Sequence, residues 1–107
     1  QQPKLLEGGR FSIDPNTYTL YKGNESIVLS RNEGIILVAL VENMPETLSK
    51  EELSHLLWGT DEFIDENAIQ VNLTRLRKTL RSLQLDDAIE TVRSRGYRLR
   101  GIEHRDY

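Results

Sequence analysis

The sequence predicts an α+β domain in which a four-stranded antiparallel sheet comes first, three helices follow, and a two-stranded hairpin closes the fold. Three observations carry that order. Short strand-forming runs separated by turn residues occupy the first 29 positions. Two Ser-x-x-Glu boxes, at Ser30 and Ser49, each open an apolar run. An amphipathic stretch over residues 67–83 is followed, ten residues on, by a basic turn set between apolar strands.

Each element has a local cause. Residues 1–9 read as a linker and first strand, with Leu5-Leu6 supplying the strand and Gly8-Gly9 a turn; the domain proper is assigned to residues 10–101 and a tail to 102–107. Phe11-Ser12-Ile13 alternates, and Asp14-Pro15-Asn16 is a turn signal. Residues 18–21 combine β-branched and aromatic side chains, Gly23-Asn24 turns the chain, and Ile27-Val28-Leu29 forms the fourth strand. In the first helix Ser30 and Glu33 cap reciprocally, Ile36, Leu37, Leu40 and Val41 face inward, and Pro45 bars continuation past Glu42 or Asn43. Ser49 and Glu52 open a second helix that runs to Trp58, with Leu53, Leu56 and Leu57 inward and Gly59 as its stop. Residues 60–64 form a loop, and Asp65 caps the long third helix. There Ile69, Leu73, Leu76, Leu80 and Leu83 recur at steps of four, three, four and three, one apolar stripe. Residues 89–92 and 97–99 pair around Arg93–Ser94–Arg95–Gly96.

The composition excludes several classes of function. A chain of 107 residues holds one core. Its longest apolar run, residues 35–41, is far below the roughly 18 residues of a membrane span. Cysteine is absent, which removes disulfides, thiol nucleophiles and thiolate metal sites and agrees with a cytoplasmic setting. His55 and His104 stand outside metal-ligand spacing, and no phosphate loop or nucleophile motif occurs, so neither catalysis nor a cofactor or metal is expected. Glu51-Glu52 and Asp65-Glu66 fit helix starts, where the dipole favours carboxylates. The net charge of −3 hides an asymmetry: residues 1–66 hold 5 basic and 12 acidic side chains, residues 67–100 hold 8 basic and 3 acidic. Local potential attracts a phosphate backbone, because salt screens charges beyond about 8–10 Å.

The third helix adds chemistry to that charge. Its polar face carries Asn67, Gln70, Val71, Thr74, Arg75, Lys78 and Arg81. A solvated helix has no use for a valine among its charges, whereas a helix in a DNA major groove does. Arginine can bond a guanine edge, Asn and Gln an adenine, and valine meets a thymine methyl. Short helix, loop, long amphipathic helix and basic hairpin together make a winged helix-turn-helix.

The residues themselves resemble a family. Trp58-Gly59-Thr60 through Asp65, then Gln70-Val71-Asn72-Leu73-Thr74-Arg75-Leu76-Arg77-Lys78, then Glu90-Thr91-Val92-Arg93 with Gly96-Tyr97-Arg98, resemble the effector domain of OmpR/PhoB-type response regulators. The likeness spans residues 11–99 and includes the leading sheet. More narrowly, Trp58, Asp61, Phe63, Ile64, Asp65, Glu66, Asn67 and Val71-Asn72 are similar to the subgroup controlling resistance to bacitracin, nisin and related peptides.

The resemblance implies sequence-specific double-stranded DNA binding, with the third helix in the major groove and the wing in the minor groove. Arg75, Val71, Asn67 and Gln70 are the expected base contacts, and Arg93 the one entering the minor groove. Trp58, Thr74, Arg77, Lys78, Thr91 and Arg95 are expected on phosphates; for Trp58 a place in the core, and for Arg77 a bridge to an acidic residue, stand beside that reading. Tyr97 is expected in the core with its hydroxyl partnered at the surface. Asn67 stands where many relatives have arginine, Ala68 where many have a small hydroxyl residue, and Ser94 where most have glycine. Asp61, Glu62 and Phe63 form a candidate contact loop for RNA polymerase; packing of Phe63 beneath the loop is the alternative. The family further implies an amino-terminal receiver domain, a partner histidine kinase, and a dimer on tandem direct-repeat half-sites. The competing reading is a winged helix that docks a protein of the transcription machinery; the mixed groove face argues against it.

Overall fold

The computed structural model of the chain describes residues 4–60, 62–85 and 87–100. Asp61 of the expected polymerase loop and the assigned tail therefore lie outside the described residues. Strands β1 (Leu6–Glu7), β2 (Ser12–Asp14), β3 (Thr19–Lys22) and β4 (Glu25–Val28) form one antiparallel sheet in chain order. The register sets Leu6, Ile13, Leu20 and Ile27 in a row across the sheet, and this row seals the core, with Ile13 and Leu20 fully buried. Side chains two apart on a strand share a face, so a slip of one residue would turn the row outward.

Several strand bounds shift from expectation, by one residue at most ends and by two at the start of β4, and two of the shifts have a visible cause. Gly23 and Asn24 make a two-residue turn that pairs Lys22 directly with Glu25, so β4 begins before Ile27. Tyr18 is outside β3: its φ of 56° is left-handed, and its carbonyl accepts the Leu29 N–H at 2.9 Å. That bend lays the tyrosine ring against Gly34 of the first helix, where any Cβ would collide with it.

Three helices follow, α1 (Arg31–Asn43), α2 (Lys50–Trp58) and α3 (Glu66–Ser82). Both capping boxes close. Ser30 Oγ accepts from Glu33 N at 3.3 Å and Ser49 Oγ accepts from Glu52 N at 3.0 Å, while each glutamate takes the serine N–H in return. Asp65 caps α3 by accepting from Ala68 N at 3.1 Å. Gly59, at φ 80°, ends α2. No glycine ends α3. Instead Gln84 adopts φ 62°, its N–H reaches Arg81 O at 2.9 Å, and the Leu85 N–H reaches Leu80 O at 2.8 Å, a Schellman motif with Leu85 buried as its apolar lock.

The stripe Ile69, Leu73, Leu76, Leu80 is at most 1% exposed and packs with Ile36, Leu37, Leu40 and Leu53 in a single core. Truncating any one of these leucines to alanine would cost about 2–5 kcal/mol. Leu56 corrects the sequence reading: it is 45% exposed rather than inward. The buried arc of α2 runs through Leu53, Ser54 and Leu57, because Ser54 Oγ turns in to donate to Thr60 O at 2.9 Å and fixes the turn toward α3. That arc leaves Leu56 on the flank.

The closing hairpin, β5 (Ile89–Val92) and β6 (Gly96–Leu99), is held to the helices at a point the sequence reading did not anticipate. Leu48, just before α2, exchanges two backbone hydrogen bonds with Tyr97, at 2.6 and 2.9 Å. A Cβ at Gly96, which has φ 147°, would strike the Leu48 carbonyl, so glycine permits this approach. No helix among the described residues is long and apolar enough to cross a membrane.

Candidate nucleic-acid interface

Burial of its apolar stripe fixes the rotation of α3 and so determines what the helix shows to solvent. Asn67, Gln70, Val71, Thr74 and Arg75 line one open concavity of about 340 Å³. Val71, one of its lining residues, is 47% exposed. Lys78 continues the exposed face one turn on. Holding a valine half in water forgoes part of the roughly 1.5–3 kcal/mol that full burial would supply. A methyl-bearing surface such as a thymine edge would recover it.

Two residues of this face are tied to the wing. Gln70 Nε2 donates to the Tyr97 hydroxyl at 2.6 Å, so the buried tyrosine has its hydroxyl partnered by an exposed side chain, as expected. Arg77 Nη2 donates to Thr91 Oγ1 at 3.0 Å and to Ile89 O at 3.2 Å. The bridge from Arg77 is therefore intramolecular, as one sequence reading had it, but its acceptors are a hydroxyl and a carbonyl rather than a carboxylate. Thr91 keeps its own hydroxyl proton for a further acceptor.

The charges sort themselves by partner. Arg98 and Glu90 face each other in the β5–β6 register and pair at 2.9 Å. That hydrogen bond, with the Arg98 charge, holds the Glu90 carboxyl below its ordinary pKa. Lys50 pairs with Glu66 at 3.3 Å and links the starts of α2 and α3. Arg10 pairs with Asp87 at 2.8 Å and lowers the Asp87 pKa, chiefly through the hydrogen bond. Among the described residues Arg75, Lys78, Arg93 and Arg95 have no carboxylate partner, so their charge remains available to an outside anion. Arg93 and Arg95 are exposed on the wing turn, where Ser94 sits at φ 65°.

Trp58 and Phe63 also resolve. Trp58 is 43% exposed at the end of α2, outside the core, and Phe63 is 77% exposed rather than packed under the loop. With Thr60, Asp65 and Ala68 they line a second shallow concavity beside the start of α3. Sequence reasoning missed how the wing is seated: Leu48 pairs with Tyr97, and Gly96, read as part of the wing turn, opens β6 where the Leu48 carbonyl leaves no room for a Cβ.

A helix-turn-helix whose second helix presents amides, a valine and an unpaired arginine, flanked by a basic hairpin and preceded by a four-stranded sheet, defines a winged-helix domain of the regulatory type. The chain belongs to the OmpR/PhoB-type effector domains: the family described as "Transcriptional regulatory protein, C terminal" matches residues 23–99. It is 36% identical over 85 residues to the response regulator protein GraR of Staphylococcus aureus, covering 79% of this chain and 38% of that protein. To the transcriptional regulatory protein YxdJ of Bacillus subtilis it is 37% identical over 100 residues, covering 94% and 44%. The chain thus spans less than half the length of these relatives. Among solved structures, the C-terminal domain of the nisin resistance regulator NsrR superposes with a TM-score of 0.74 at 37% identity, covering 92% of this chain and 96% of that one. The RstA DNA-binding domain of Klebsiella pneumoniae, solved in complex with the RstA box, gives 0.74 at 30% identity, covering 90% and 96%.

Proposed function

We propose that this domain binds double-stranded DNA sequence-specifically, as the output domain of a response regulator, with α3 in the major groove and the wing in the minor groove. The observation that carries this reading is the α3 concavity: a half-exposed Val71 set among Asn67, Gln70, Thr74 and an unpaired Arg75. Those side chains match base edges, whereas an acidic protein surface would need only cations. Arg93 serves the minor groove, where narrow A·T runs concentrate negative potential. Trp58, Thr74, Lys78, Thr91 and Arg95 hold phosphates, and Arg77 serves them by fixing Thr91. The function is regulatory rather than enzymatic.

The wider assembly follows the family. A receiver domain, phosphorylated by a partner histidine kinase in the cytoplasm, brings two copies onto tandem direct-repeat half-sites. The exposed Phe63, which shares a concavity with Trp58, and the exposed Glu62 offer RNA polymerase a contact. Likeness to the nisin resistance regulator supports target genes for resistance to antimicrobial peptides.

Selection of bound duplexes from a randomised DNA pool at low salt, followed by sequencing, tests the reading. Enrichment of a half-site is the expected result. Retention without enrichment would reduce the face to a phosphate clamp, and absence of retention would move the function to protein docking.

A further inference from the structure

We infer that Tyr97 is a positioning residue for base reading: its buried hydroxyl locks the Gln70 amide so that Gln70 discriminates at one base pair. This rests on the DNA-binding reading above. Tyr97 is only 2% exposed, and it is held from both sides, by Thr91 in the β5–β6 register and by Leu48 through two backbone hydrogen bonds. Its hydroxyl is therefore a fixed post. Gln70 is exposed on α3 and reaches that post across 27 residues of sequence, with Nε2 donating to the hydroxyl oxygen at 2.6 Å. The amide has two N–H groups and a carbonyl oxygen. With one N–H held by Tyr97, the other N–H and the oxygen remain, the pair that meets adenine N7 and N6.

An unrestrained glutamine on a helix surface samples many rotamers and must be ordered on binding. A glutamine already ordered by the protein avoids that cost, the general advantage of preorganisation. The anchor also sets the amide plane, so a base that presents the wrong pattern cannot be met by simple rotation of the side chain. Arg75 and Val71, which line the same concavity, have no such tie among the described residues, so the effect is confined to the base pair facing Gln70. The same bond couples α3 to β6, so the reading helix and the wing approach DNA as one body.

The test repeats the duplex selection with Tyr97→Phe, which removes the hydroxyl and keeps the ring in the core, and with Gln70→Ala. Thermal unfolding of both variants verifies that they fold. The expected result is that Tyr97→Phe lowers discrimination at a single base pair by about 3- to 10-fold, the size of one side chain's ordering cost. Gln70→Ala should flatten that same position, the double variant should add nothing, and preferences elsewhere should persist. A Tyr97→Phe profile identical to the parent's overturns the inference while leaving DNA reading intact. A uniform loss at every position also overturns it, since that marks a structural or phosphate role. Absence of enrichment by the parent domain overturns the DNA reading and this inference together.

Discussion

Arg77 on α3 and Thr91 on β5 are joined by a 3.0 Å hydrogen bond, and the same guanidinium nitrogen reaches Ile89 O at 3.2 Å. One side chain thus fastens the reading helix to the wing. Arg77→Met keeps the stem and removes the donors. A charged hydrogen bond contributes about 1.5–3 kcal/mol, and partial exposure brings the expected loss to about 1–2 kcal/mol in chemical denaturation. DNA affinity should fall as well, because Thr91 loses its orientation. A stability unchanged in Arg77→Met would leave Arg77 as a phosphate contact only.

Gln84 and Ser94 occupy left-handed conformations at φ 62° and 65° without being glycine. A Cβ there is unfavourable, and glycine relieves the strain while adding freedom to the unfolded chain. Gln84→Gly and Ser94→Gly should each stabilise the domain by about 0.5–1 kcal/mol, and their effects should add because the sites are separate. Urea midpoints of the two single variants and the double variant decide this.

Acid weakens the fold at two identifiable points. Asp87 beside Arg10 and Glu90 beside Arg98 both have pKa values lowered by folding. A carboxylate with a lowered folded pKa contributes stability above its unfolded pKa and loses it as pH falls through the folded value. The loss therefore begins below about pH 5 and continues downward. Both pairs are exposed, so the effect is small and salt-sensitive. The stability gap between the parent and Arg10→Met should close as pH is lowered from 7 to 3; a gap independent of pH would mean that Arg10 acts by packing alone.

Val71 has a test on the DNA side. Replacing thymine by uracil at the base pair facing it removes one methyl group, so the parent domain should lose about 0.5–1 kcal/mol of affinity, while Val71→Ala should be nearly indifferent. Equal losses in both proteins would place the methyl elsewhere.

The features legible in the sequence were those with local causes. The capping boxes at Ser30 and Ser49, the Asp65 cap and the stripe from Ile69 to Leu80 need only residues three or four apart, and each closes as expected. The concave face of α3 was legible for the same reason, since burying one stripe dictates the other face. Long-range ties were not. The Gln70–Tyr97 and Arg77–Thr91 bonds and the Leu48–Tyr97 bridge depend on how the hairpin seats on the helices, which no local pattern specifies. Leu56 shows the limit of a helical wheel: it gives the direction of the buried face, while the width of that face depends on neighbours such as Ser54. Tyr18 has strand-like composition, yet the bend that sets its ring against Gly34 takes it out of the strand.

Arg75, without a carboxylate partner among the described residues, is the side chain proposed to read a base edge in the major groove. Methylation interference on the selected half-site tests it, because dimethyl sulfate modifies guanine N7, an acceptor on that edge. N7 methylation at one guanine per half-site should abolish binding by the parent domain. Arg75→Ala should bind about 1–3 kcal/mol more weakly and ignore that modification. Binding by the parent domain that tolerates N7 methylation at every guanine would rule out a guanine contact by Arg75.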